Sequence, residues 1–427
     1  MPPELAAWLL LLVGTAASIL VAVALRPPKV NPAILAAAFF SSWLTNELVL
    51  HQLLGQLCLA AALLAFGALS TWPGALGLAL VATASVGLLA IWRQARTAGP
   101  TITDALHDAL DQHEPGTWPR VPASRRLLPF LFARRGVRRL KHIPFVTPSG
   151  TRRPLHLDLF LPDPHLWPGP RPAILQLHGG AWVIGDKSQQ GLPLLGHMAA
   201  NGWVGVNANY RHSPRATFPE HLIDVKHAIA WIREHASEHH IDPTFIAVTG
   251  GSAGGHLAAL AALTANDPRY QPGFEQADTS LQVAVPFYAV FDFTDRLHLI
   301  GRPFFRNLLE PWVMKLPFRG NEDRYREASP LDRIHPDAPP FLVIHGQRDT
   351  LAPVEYARLF VERLRATSRA PVYYAELEGA QHAFDVFHSD RTDRAIEGVE
   401  RLLHTLWRRH RDQALSPPDE TDTPPPP

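Results

Sequence analysis

The residues best suited to chemistry are Gly250-Gly251-Ser252-Ala253-Gly254-Gly255. They follow the apolar run Phe245-Ile246-Ala247-Val248-Thr249 and precede an apolar helical pattern from Leu257 to Leu263. A serine among small residues, at a sharp turn from strand to helix, has its hydroxyl exposed at the carboxyl end of a sheet. That hydroxyl attacks a carbonyl only if a base takes its proton. The candidate base is His382, in Gly379-Ala380-Gln381-His382 after the strand-like Val372-Tyr373-Tyr374-Ala375-Glu376-Leu377. Imidazole accepts and returns a proton near neutrality. Asp349, just beyond Phe341-Leu342-Val343-Ile344-His345-Gly346, is placed to fix its tautomer. Upstream, His178-Gly179-Gly180-Ala181-Trp182 ends another strand-like run. Its glycines let backbone N–H groups approach a developing oxyanion, so Gly179 and Gly180, with Ala253, are the expected donors.

Each of these residues follows a strand pattern, and their order is Ser252, Asp349, His382. The HGGAW loop, the GGSAGGHLA elbow, the HGQRD loop and the GAQHAF loop resemble the hormone-sensitive-lipase-type and feruloyl-esterase-like carboxylesterases of the α/β-hydrolase superfamily. Asn209-Tyr210-Arg211, Phe218-Pro219 and Asp224 add to the resemblance, which covers about residues 140–410. It implies an α/β-hydrolase fold: a mostly parallel sheet with helices on both faces, and an acyl-enzyme on Ser252. Ala181 stands where the lipase-type pattern commonly has a third glycine. In that respect the chain is closer to the feruloyl-esterase-like and kynurenine-formamidase-like branches. Ester hydrolysis is therefore the first reading. An amidase of the formamidase type or an acyltransferase shares the same elbow. From another class, a catalytically inactive hydrolase fold would serve as a membrane-bound binding module, but such chains usually lose the serine, the histidine or the HGG loop.

Other conspicuous residues read as structural. His256 sits on a small apolar helix and is expected to pack or to bond backbone; His345 shapes the Asp349 loop; Asp224 orients a helix. No H-E-x-x-H or paired C-x-x-C spacing suggests a metal, and no cofactor motif is present. Residues 291–338 interrupt the strand rhythm and are expected to form a cap. Trp182 and the cap residues Phe304, Phe305 and Trp312 are the candidate substrate-pocket lining.

The first hundred residues differ sharply from the rest. Residues 5–25 carry no charge and are long enough to cross a bilayer. Residues 33–50, 53–70 and 74–92 are also largely apolar, which gives three or four transmembrane helices over 1–92. Glu47 and His51, spaced i, i+4, are expected to pair within that bundle. Residues 93–140 read as a basic helical connector, solvated or lying on anionic headgroups, and 141–411 as the catalytic domain. The Pro-rich tail, 412–427, reads as disordered. All of the motifs lie beyond residue 140, so the apolar region is expected to be an anchor on which the enzyme's core does not depend. The formal net charge of +1 gives no electrostatic case for nucleic acid. Cys58 is the only cysteine, which excludes an internal disulfide. Expected partners are the membrane and an ester or lipid-like small molecule.

Overall fold

Strand runs rich in Val, Ile and Leu, apolar on both sides, suit a parallel sheet covered on both faces. The computed structural model describes residues 1–28, 32–110, 121–299 and 305–415 and contains such a sheet. In chain order the elements are helices α1 (Pro3–Leu25), α2 (Pro32–Glu47), α3 (Val49–Ala65), α4 (Trp72–Ala95), α5 (Ala98–Ala105) and α6 (Ala123–Leu127). Strands β1 (Arg138–Val146), β2 (Leu155–Leu161) and β3 (Arg171–Leu177) come next, then α7 (Leu192–Ala200), β4 (Val204–Ala208) and α8 (Glu220–Glu234). β5 (Ile241–Gly251), α9 (Ala253–Leu263) and β6 (Val283–Phe287) lead into the insertion, which holds a π-helical segment, Phe305–Met314, and α10 (Glu322–Glu327). The chain closes with β7 (Phe341–Gly346), α11 (Val354–Thr367), β8 (Val372–Leu377) and α12 (Asp390–Leu415).

The eight strands are ordered β1-β2-β4-β3-β5-β6-β7-β8. β2 pairs antiparallel with β1 and β4, and every later pairing is parallel. One core, with α8, α9 and α11, covers one face; the other, with α5, α7 and α12, covers the opposite face. In α9 every residue from Ala253 to Leu263 is buried, as its uniformly apolar composition requires.

Among the described residues two helices, Pro3–Leu25 and a continuous stretch Trp72–Ala105, are long and apolar enough to cross a membrane. α2 and α3 are bent by 90° at Leu48 and together would make a third, broken span or a re-entrant loop. α1 and α4 approach closely through small residues. A Cβ on Gly77 would come within 2.5 Å of the Leu10 and Leu11 backbone, the kind of contact that joins helices where lipid gives no hydrophobic drive.

Three expectations about this region are corrected. Residues 93–140 are not wholly a connector: Ala98, Ile102, Leu106 and Ala109 are buried in the catalytic core, Arg138–Leu140 belong to β1, and 111–120 lie outside the described residues. Glu47 does not pair with His51, because the break at Leu48 turns α3 away. Glu47 instead meets Arg391 of α12 at 3.0 Å, both side chains fully buried, while His51 contacts the Leu127 carbonyl at 3.1 Å. Nor is the apolar region separable by contact. Ser389 Oγ donates to Glu47, the Arg391 guanidinium to the Asn46 carbonyl, and Trp92 Nε1 to Asp390. Of the expected tail, residues 412–415 instead continue α12, and 416–427 lie outside the described residues.

Candidate functional site

The strand–turn–helix around Ser252 depends on glycine. A Cβ at Gly250 would lie 2.7 Å from the Leu177 carbonyl, and one at Gly254 would collide with the same oxygen. Between them Ser252 takes φ 57° and ψ −120°, a conformation that non-glycine residues rarely adopt. Its N–H donates to the Phe287 carbonyl at the end of β6, which fixes the turn at 3.0 Å. The hydroxyl is thus held at the carboxyl ends of the parallel strands, where open α/β sheets place their sites. A cavity of about 760 Å³, lined by Arg138, His165, Trp167 and Arg171, opens at the opposite, amino ends of β3 and β4. Its lining includes none of Ser252, Asp349 and His382.

Asp349 and His382 come together from the loops after β7 and β8. Asp349 Oδ1 accepts the N–H groups of Leu351 at 2.8 Å and Ala352 at 2.7 Å, while Oδ2 lies 2.7 Å from His382 Nδ1. His345 Nε2 lies 3.3 Å from Oδ2 and 2.8 Å from the Ala352 carbonyl, so this histidine shapes the loop as expected. Burial alone would raise the Asp349 carboxyl; the charge of His382 and the hydrogen bonds of His345 and His382 outweigh it and hold the group well below the usual carboxylate range. No hydrogen bond joins Ser252 Oγ to His382 among the described residues, and such contacts often tighten only in the substrate complex. Tyr288 lies between the serine elbow and the histidine loop. Its ring centroid is 4.7 Å from that of His382, and a Cβ on Gly251 would strike it.

In the glycine loop, Gly179 departs from expectation. Its N–H donates to Gln190 Oε1 at 2.7 Å, so it is already engaged. Gly180 and Ala253 find no acceptor for their N–H groups among the described residues. Ala181 and Trp182 take φ of 52° and 62°, so the alanine occupies left-handed backbone that a third glycine would accept without strain.

The expected pocket residues divide. Trp182 is a core residue, 1% exposed, wedged against Phe293 and donating Nε1 to His256 Nδ1 at 3.2 Å. His256 in turn bonds the Ala328 carbonyl at 2.7 Å and so ties α9 to the insertion; burial pushes its imidazole down to about 3. Trp312 is 44% exposed on the outside of the π-helical segment. Phe304 lies outside the described residues, and Phe305 begins that segment. Asp224 holds Arg211 through side chain and backbone at 2.8 and 3.0 Å, an orienting role as expected.

Sequence reasoning missed four neighbours of His382. Gln381 Oε1 accepts from the N–H groups of Thr350 and His382 at 2.8 and 2.9 Å, linking the two loops. The Tyr288 hydroxyl donates to Asp385, whose carboxyl burial raises to about 6. Phe39 of α2 meets the His382 ring edge-on at 6.2 Å. Only Asp385, three residues beyond His382, had a local signal.

The BD-FAE family matches residues 157–364. The probable carboxylic ester hydrolase LipM of Mycobacterium tuberculosis is 46% identical over 341 residues, 77% of each chain. The chain belongs to the α/β-hydrolase esterases. Esterase LipQ of the same organism is 46% identical to this esterase over 249 residues, 58% of each chain. Among solved structures, Thermogutta terrifontis esterase 2 phosphonylated by sarin superposes on the esterase with a TM-score of 0.51. The two are 25% identical, and the match covers 65% of this chain and 96% of that one. The esterase is thereby a carboxylic ester hydrolase with an eight-stranded α/β-hydrolase sheet.

Proposed function

We propose that this is a membrane-anchored serine carboxylesterase working through an acyl-enzyme on Ser252. His382 Nε2 takes the hydroxyl proton as Ser252 Oγ attacks the ester carbonyl. Asp349 keeps the Nδ1–H tautomer and stabilises the imidazolium. The N–H groups of Gly180 and Ala253 receive the oxyanion, and Gly179 joins them when Gln190 lets go. Collapse of the tetrahedral intermediate returns the proton to the departing alcohol oxygen. Water, deprotonated by the same imidazole, then releases the acid and restores the serine. The observation that carries this reading is the 2.7 Å contact between Asp349 and His382 at the same sheet end as a serine in a strained turn.

The Thermogutta esterase carries an organophosphorus group from sarin, and a fluorophosphonate should label this chain in the same manner. Ser252→Ala should abolish labelling and ester turnover while leaving the circular dichroism spectrum unchanged. Undiminished labelling of that variant would place the nucleophile elsewhere. Anchoring rests on α1 and on the stretch Trp72–Ala105 that begins with α4, the two helices of spanning length among the described residues. The protein should therefore stay with membranes in alkaline carbonate, since spanning helices hold far more firmly than an interfacial one.

A further inference from the structure

Four aromatic rings run from the molecular surface to His382. Phe130, 63% exposed, lies 5.1 Å from Phe387, and Phe387 lies 5.3 Å from Trp43. Trp43 stacks on Phe39 at 5.7 Å, and Phe39 meets the His382 ring at 6.2 Å, all measured between centroids. The outer end is continuous with an apolar surface, for Leu127, Leu128, Leu131 and Phe40 are each more than half exposed. Phe39 itself is buried.

Two of these rings belong to α2, and α2 holds the loop on both sides of the histidine. Ser42 Oγ accepts from Gln381 Nε2 at 3.3 Å, and Trp43 Nε1 donates to the Ala383 carbonyl at 2.8 Å. An anchor needs only length and hydropathy, and α1 with α4 supplies both. α2 is instead bent away from α3 and directs an aromatic side chain at the base.

We propose that α2 is a wall of the reaction site, where Phe39 and Trp43 bound the space beside the His382 ring and set a preference for esters with long alkyl chains. This rests on the assignment of Ser252 and His382 above. An alkyl chain leaving the acyl centre on that side would meet these apolar rings rather than water. Each methylene so buried favours binding, and a single methylene's contact in an apolar pocket is worth at least about tenfold in discrimination.

The test uses the full-length protein in detergent micelles, with p-nitrophenyl acetate and p-nitrophenyl laurate as substrates and a fluorophosphonate as active-site probe. In Phe39→Ala the ratio of kcat/KM on laurate to that on acetate should fall about tenfold, mainly through KM on laurate, and Phe39→Leu should restore most of it. Retained labelling shows that base and nucleophile still work. An unchanged ratio overturns the proposal, as does equal loss on both esters. Loss of labelling in both Phe39 variants assigns α2 mere support of the loop and also overturns it. If Ser252→Ala of the otherwise unaltered protein still labels, the underlying site assignment falls instead.

Discussion

Both carboxylate oxygens of Asp349 are engaged: two backbone N–H groups hold one, and His382, with His345 at 3.3 Å, the other. Asp349→Asn preserves the shape but can present an amide N–H where the Nδ1–H needs an acceptor. We expect kcat on a soluble ester to drop on the order of 10⁴, as in other triads, with KM little changed; steady-state kinetics on p-nitrophenyl acetate decides it. A loss below tenfold would remove Asp349 from its role. Asp385 poses a different problem, because its carboxyl is raised to about 6 beside Tyr288 and His382. The folded state then holds a proton that the unfolded chain releases near pH 4. Stability from this group is complete below pH 4, declines as pH rises through 6, and stays lost above it. Asp385→Asn should thus stabilise the protein by about 1–3 kcal/mol at pH 8 and by almost nothing at pH 4. Thermal melts at the two pH values provide the comparison, and equal gains at both would contradict the raised carboxyl.

Elements set by local pattern were the ones readable in advance. The elbow, the glycine loop and the loops carrying Asp349 and His382 each follow a strand whose apolar run ends in small or polar residues, so their order alone indicated the sheet. What the pattern did not reveal depends on contacts across the chain. Nothing near Phe39, Ser42 or Trp43 distinguishes α2 from an ordinary apolar span; only the fold brings it against residues 381–387. Trp182 looked like a pocket residue because it follows the glycine loop, yet its indole N–H had a buried partner in His256, on a helix 74 positions away. Glu47 is the clearest instance. Its charge inside an apolar segment suggested a neighbour one turn away, whereas the partner is Arg391. Removing one member of a fully buried ion pair strands the other charge, so Glu47→Ala should destabilise by about 3–5 kcal/mol. Glu47→Leu combined with Arg391→Met should recover most of that. Denaturation of the detergent-solubilised variants would measure both, and additive losses in the double variant would show that the pair is not coupled.

At the scale of the whole molecule, the apolar helices and the hydrolase sheet share one fold. A chain starting at Thr101 lacks the partners of Arg391, Gln381, Trp43-bound Ala383 and Asp390, and it uncovers Phe387. It should be poorly soluble and should label with fluorophosphonate at under a tenth of the full-length rate; a soluble, fully reactive product would restore the picture of a detachable anchor. The distance in sequence between the two sides of that seam has a further consequence. Trp43 and Ala383 are 340 residues apart. At ribosomal rates of roughly 5–20 residues per second, about 20–70 seconds pass between the synthesis of one and the other. α2 therefore emerges long before the loop it supports, and the histidine loop is completed only by folding back onto a helix made much earlier. Biogenesis itself thus delays hydrolysis: the newborn chain has its nucleophile well before it has a finished site.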